Sequence, residues 1–147
     1  MAAFLQAGLP IHIATRDASL RPSGARVTAV KVDDDLEHLL AYVPKVAAEP
    51  ILADLADNGQ VALVFVRPAD ERSCQVKGVF VETRAVSARE RAFVQEQYER
   101  CHESLEVIGY PREGTETWRM WPCVAVRLRV TAVFDQTPGP NAGTQLP

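Results

Sequence analysis

Little in this chain points to a membrane, a nucleic acid or an oxidising compartment. Its longest apolar runs, of which VALVFV at 61–66 is the clearest, fall far short of the ~20 residues a helical span requires. Sixteen Lys and Arg against 19 Asp and Glu leave a net charge of −3, so the basic footprint of a nucleic-acid binder is missing. Three cysteines, Cys74, Cys101 and Cys123, are an odd number with no CxxC spacing. They read as free thiols in a reducing cytoplasm, not as a disulfide framework. The first ten residues, MAAFLQAGLP, lack the basic n-region and long apolar core of a secretion signal, and a cytoplasmic location is expected. What remains is ordinary globular composition, 47% hydrophobic and 24% charged over 147 residues. A chain of that length folds most simply as one domain and buries roughly two thirds of its unfolded surface.

Read along the chain, turn signals separate short apolar segments. Pro10–Thr15 and the stretch after the Arg21-Pro-Ser-Gly24 turn predict a hairpin. Arg26–Val32 alternates, which in a regular strand places Arg26 and Lys31 on opposite faces. Leu39–Val43 is the next strand and stops at Pro44. Pro50 suits a first helical position and Asn58-Gly59 a helix end, predicting a short helix between them. Val61–Val66 has no polar interruption and predicts a strand buried on both faces.

Gln75–Ala85 is a further strand, with Gln75 and Lys77 on one face and Cys74 and Val76 on the other. Ser87-Ala-Arg-Glu90 has the form of a capping box. Behind it Val94, Tyr98, Cys101, Leu105 and Ile108 recur at helical spacing up to Gly109. In the last strand, Val124–Phe134, Val124, Val126, Leu128 and Val130 share one face and Arg127 and Arg129 the other. The sum is a mainly β protein, six or seven antiparallel strands with two inserted helices. Closure into a small barrel removes the exposed edges an open sheet would have to protect.

Four stretches, taken in order, resemble the pyridoxamine 5′-phosphate oxidase-like family of flavin-binding split barrels. These are Arg26-Val-Thr-Ala-Val-Lys31, Tyr42-Val43, Ala53-Asp-Leu-Ala-Asp-Asn-Gly-Gln-Val-Ala-Leu63 and Cys74-Gln-Val-Lys-Gly78. The resemblance implies a Greek-key split β-barrel over 1–135 followed by a Pro/Gly-rich tail over 136–147. It implies a homodimer with flavin mononucleotide (FMN) at the subunit interface, and a small-molecule substrate. Arg26, Lys31, Tyr42, Gln75 and Lys77 are the matching cofactor positions. The residue types suit that role, since cationic forks grip a phosphate and an amide offers both donor and acceptor to a flavin edge. Where the family carries a further cationic clamp after its Tyr-Thr strand, this chain has Pro44-Lys-Val-Ala-Ala48, with Lys45 its one cation. The features of true pyridoxamine 5′-phosphate oxidases near the C-terminus have no counterpart, so that activity is not carried over.

Other constellations read as structure. Asp33-Asp-Asp35 lacks the glycine and distal glutamate of a calcium loop and is a hairpin turn. His12, His38 and His102 have no metal-site spacing; His12 or His102 as a haem ligand is the alternative. Trp118 and Trp121 pack at a barrel end or stack on a ring system. No acid–base pair or nucleophile constellation is visible, so no catalytic residue is assigned. The expected function is an FMN-dependent oxidoreductase. Its alternatives are a non-catalytic flavin- or haem-carrying barrel and a deazaflavin-dependent reductase.

Overall fold

A computed structural model describes residues 1–115 and 117–147. Seven strands form one antiparallel sheet: β1 (Ile11–Arg16), β2 (Pro22–Val27), β3 (Ala29–Val32), β4 (His38–Pro44), β5 (Gln60–Val66), β6 (Ser73–Ala85) and β7 (Cys123–Asp135). Three helices accompany them: α1 (Ala2–Leu5), α2 (Lys45–Asn58) and α3 (Ala88–Glu106). The strand order is β2-β1-β5-β6-β7-β4-β3. Its two ends, β2 and β3, are successive pieces of one chain run, and the Thr28 amide between them donates to the Tyr42 carbonyl of β4. That link curls the sheet, and the result is the small barrel expected from the strand pattern in the split form that the resemblance implies.

Alternation fills the interior. Ile13, Leu39, Leu63, Phe65, Val76 and Leu128 are each at most 1% exposed and belong to one cluster. Cys74 lies with them, as its position next to Gln75 predicts, and burial pushes its thiol up to about 11. All three cysteines are free.

The alternation breaks at Thr28. Val27 and Val30 face the interior, whereas Ala29 packs on the outer side and the Thr28 hydroxyl donates to the Met120 carbonyl outside the barrel. Two successive residues therefore face out, and the parity of the strand is reversed. Arg26 and Lys31, which a regular strand would point to opposite faces, both stand exposed on the outside.

Two further expectations need correction. α2 begins at Lys45, five residues before Pro50, which lies within it. Proline removes only one intrahelical bond there, in the second turn, and Ala47, Ala48 and Glu49 are good helix formers. Pro44 supplies the extended N-cap and the Lys45 amide is satisfied by the Pro122 carbonyl. β5 is not buried on both faces: Val61, Leu63 and Phe65 are buried, and Ala62, Val64 and Val66 only half-buried.

The Gly59 stop and the Ser87/Glu90 cap hold, whereas the expected stripe of α3 needs correction, since Ile108 lies beyond the helix and is 53% exposed. Gly59 ends α2 in the left-handed conformation, its amide on the Leu55 carbonyl. The Ser87/Glu90 capping box opens α3. α3 ends at Glu106 rather than Gly109, and it buries Val94, Gln97 and His102. The tail folds back, and its strand β8 (Gln145–Leu146) pairs with Val133 and Phe134 of β7. No helix among the described residues is long and apolar enough to cross a membrane.

Candidate functional site

The five sequence-predicted residues fall in four places. Gln75 and Lys77 project outward from β6, and Gln75 lies in a cross-strand row that runs Arg26, His12, Val64, Gln75, Phe134. Arg26 and Gln75 thus share a face but stand three strand spacings apart, roughly 14 Å. The Lys77 ammonium sits 4.8 Å from the Phe134 ring centroid. Gly78 follows because a side chain there would meet the Arg129 carbonyl and Leu128 at 2.7 Å, beside a register shift in the β6–β7 ladder. Lys31 stands at the far end of the sheet, level with Leu40.

Tyr42 is fully buried beneath α3. Its hydroxyl donates to Glu90 Oε1 at 2.9 Å and its carbonyl accepts from Thr28. Glu90 also accepts from both guanidinium nitrogens of Arg84, at 2.6 and 2.9 Å, and from the Ser87 hydroxyl and amide. The Arg84 pairing, with these bonds, holds the Glu90 carboxyl far below its usual range, while burial and then Glu90 raise the Tyr42 phenol. This network fastens α3 to the barrel.

The Arg26 guanidinium carries the clearest site geometry. It lies 3.7 Å from the centroid of the Trp118 ring, an arrangement worth roughly 0.5–2 kcal/mol. Together they border a cleft of about 200 Å³ whose other walls include Pro44, Val46, Ala47 and Arg119. Because α2 starts at Lys45, Val46 and Ala47 belong to its first turn, where amides have no intrahelical acceptor and the helix dipole is positive. The Pro44–Ala48 stretch, poor in cationic side chains, thus contributes a helix N-terminus to the wall opposite Arg26. Backbone amides at such an end are competent anion ligands.

Trp118, Arg119 and the α2 first turn are site residues that the strand motifs did not reveal. The early helix start was masked by Pro50. Trp118 and Arg119 lie in an irregular segment whose only signal is an indole beside a cation.

Other candidates resolve into structure. Asp33 accepts from Arg127 at 2.9 Å, and Asp35 takes the Glu37 and His38 amides and lies 2.7 Å from His38 Nδ1. No cluster of potential metal ligands occurs among the described residues. His102 is buried, hydrogen-bonded through Nδ1 to Thr115 and set edge-on to Tyr98 at 4.3 Å.

No family model matches the sequence, and no curated protein does. Solved structures do match. An FMN-binding protein from Syntrophomonas wolfei is 12% identical with a TM-score of 0.59, covering 91% of this chain and 82% of that one. An F420 reductase is 20% identical with a TM-score of 0.56, over 89% and 93%. HutZ, the haem storage protein of Vibrio cholerae, is 17% identical with a TM-score of 0.51, over 90% and 89%. The chain has the pyridoxamine 5′-phosphate oxidase-like split-barrel fold.

Proposed function

We propose that the chain binds FMN at the Arg26 cleft, in a site completed by a second copy, and acts as a flavin-dependent oxidoreductase on a small organic molecule. The observation that carries this reading is the convergence of Arg26 and the first turn of α2 on one cleft beside an indole. Charge-assisted donors and free amides suit a dianionic phosphate, and the aromatic wall suits a ring system. The cleft fits part of the cofactor, not all of it. Its 200 Å³ lies below the roughly 300–1,000 Å³ usual for ligand sites, so another wall is required. A second copy is the natural supplier. The outer face of β1, β5, β6 and the C-terminal end of β7 is uncovered and carries the half-buried Val64, Val66 and Phe134. Bound flavin would supply the electron transfer, and the protein would orient it.

FMN titration followed by flavin fluorescence tests this. Arg26→Ala is expected to weaken binding about 10- to 100-fold, the scale of a hydrogen bond to a charged group. Ala47→Pro, which deletes one first-turn amide, should weaken it several-fold. FMN that fails to bind the unaltered protein, or binds Arg26→Ala equally well, overturns the assignment.

A second reading, a carrier without turnover, is favoured by one observation: among the described residues no histidine–carboxylate pair borders the cleft. Its ligand would be flavin or haem, and HutZ is a haem storage protein on this fold. Turnover with a nicotinamide donor excludes the carrier. The cofactor that co-purifies separates flavin, deazaflavin and haem.

A further inference from the structure

A second cavity, of about 220 Å³, lies between α3 and the segment before β7. Its walls include Tyr98 and Gln95 from α3, Thr28 at the strand break, and Trp118, Arg119 and Trp121. Trp118 and Arg119 also line the Arg26 cleft, so the two spaces share a wall.

Three features set its chemistry. Three of the walls are aromatic rings, and the chain has only two tryptophans, both here. The surroundings are cationic: Arg26 lies on the Trp118 ring at 3.7 Å, Arg91 lies 5.3 Å from the Trp121 ring centroid, and Arg119 lines the cavity itself. Among the described residues Arg119 forms no ion pair, whereas Arg84, Arg100, Arg112 and Arg127 each do. An aromatic box with an available guanidinium recognises a flat ring bearing an anion.

Size narrows the ligand further. An apolar cavity of ~150 Å³ accepts a benzene, so this one has room for a single ring with its carboxylate.

We propose that this cavity binds a small aromatic carboxylate, the ring among Tyr98, Trp118 and Trp121 and the carboxylate on Arg119. That such a ligand is the substrate rests on the flavin reading, since only then does a redox cofactor lie across the shared wall. The binding itself does not.

Benzoate, titrated into flavin-free protein and followed by tryptophan emission and calorimetry, tests it. A saturable change is expected, because every tryptophan in the protein lines the site. Benzamide, without the charge, and cyclohexanecarboxylate, without the π-face, should each bind at least ~10-fold more weakly. Arg119→Ala, at an exposed position that leaves folding intact, should weaken benzoate by about 10-fold or more, and by more than Arg26→Ala, whose guanidinium lies on the Trp118 ring but does not line the cavity. No saturable benzoate signal, or benzamide binding as tightly, overturns the proposal. Loss of benzoate in Arg26→Ala but not in Arg119→Ala also overturns it, placing the ligand in the other cleft. Benzoate binding without FMN binding removes the flavin reading alone; FMN binding without benzoate binding removes this one alone.

Discussion

The outer surface of the barrel is finished on one flank and bare on the other. Over β3, β4 and β7 the outward residues Ala29, Leu40, Tyr42, Cys123 and Ala125 are buried beneath α3, against Val94 and Phe93. Over β1, β5 and β6 the outward residues are His12, Ala14, Ala62, Val64, Gln75 and Lys77, and none is buried. Both flanks alternate in the same way, so strand periodicity alone does not separate them. What separates them is the loop that follows. The chain leaving β6 carries a 19-residue amphipathic helix back over the first flank, and among the described residues no element returns over the second. An uncovered sheet face with half-buried Val64, Val66 and Phe134 is a surface prepared for another chain.

The sharpest way to break this comparison is to place the same charge on both flanks. Leu40→Glu puts a carboxylate at a position only 7% exposed, beneath α3, with Lys31 and Arg127 as its cross-strand neighbours and Arg127 already engaged by Asp33. Desolvating a carboxylate there costs several kcal/mol that two partly exposed cations repay only in part, a large share of the ~5–15 kcal/mol stability of a domain. We expect Leu40→Glu to unfold the protein or to detach α3, seen as lost helical circular dichroism and a collapsed guanidinium midpoint. Retention of a wild-type midpoint would show that α3 does not cover this flank in solution.

Val64→Glu is the counterpart and should act on assembly, not on folding. The side chain is half-buried in one chain and lies between His12 and Gln75. Folding stability is expected to change by less than about 1 kcal/mol. If two copies meet across this face, two like charges are brought together and dimer affinity should fall by about 100-fold or more, measured by sedimentation. A Val64→Glu protein that dimerises as tightly as the parent places the second copy elsewhere. FMN affinity should fall with the dimer if the Arg26 cleft needs a partner wall.

These contrasts mark how much was legible in the residues. Strand count, the Ser87/Glu90 cap, the Gly59 stop and the inward Cys74 all follow from local chemistry, and each stands as expected. The reversal at Thr28 was not legible. It depends on a hydroxyl finding the Met120 carbonyl 92 residues away, and only that contact lets Arg26 and Lys31 share the outside. The early start of α2 was hidden for a similar reason, since Pro50 is a strong local signal overruled by the Lys45 amide meeting Pro122. Tyr42 shows the limit most plainly. Its place beside Val43 at a strand end fits a cofactor contact through the adjacent backbone, but nothing local shows that its hydroxyl is held by Glu90, 48 residues on. Motif order located the strands. Which outward side chains a helix would claim was decided by tertiary contacts that no short window contains.

The smallest expected effect concerns that clasp and has a definite pH signature. Glu90 is only 15% exposed through its side chain and accepts from Arg84, Ser87 and Tyr42, so the folded protein holds its carboxyl well below its ordinary value of 4.5. A carboxyl depressed on folding contributes stability that is fully present above the unfolded value and is lost as pH falls toward the folded one. Between about pH 5 and pH 3 the parent should therefore lose stability more steeply than Glu90→Gln, which has no proton to take up at this site. Near pH 7 Glu90→Gln should be less stable by about 1–3 kcal/mol, because glutamine can accept from Arg84 or Tyr42 but carries no charge to answer the guanidinium. The two stability curves should converge on acidification. Parallel curves across that range would mean that the Arg84–Glu90 contact does not hold α3 in place, and the covered flank would then owe its closure to Val94 and Phe93 alone.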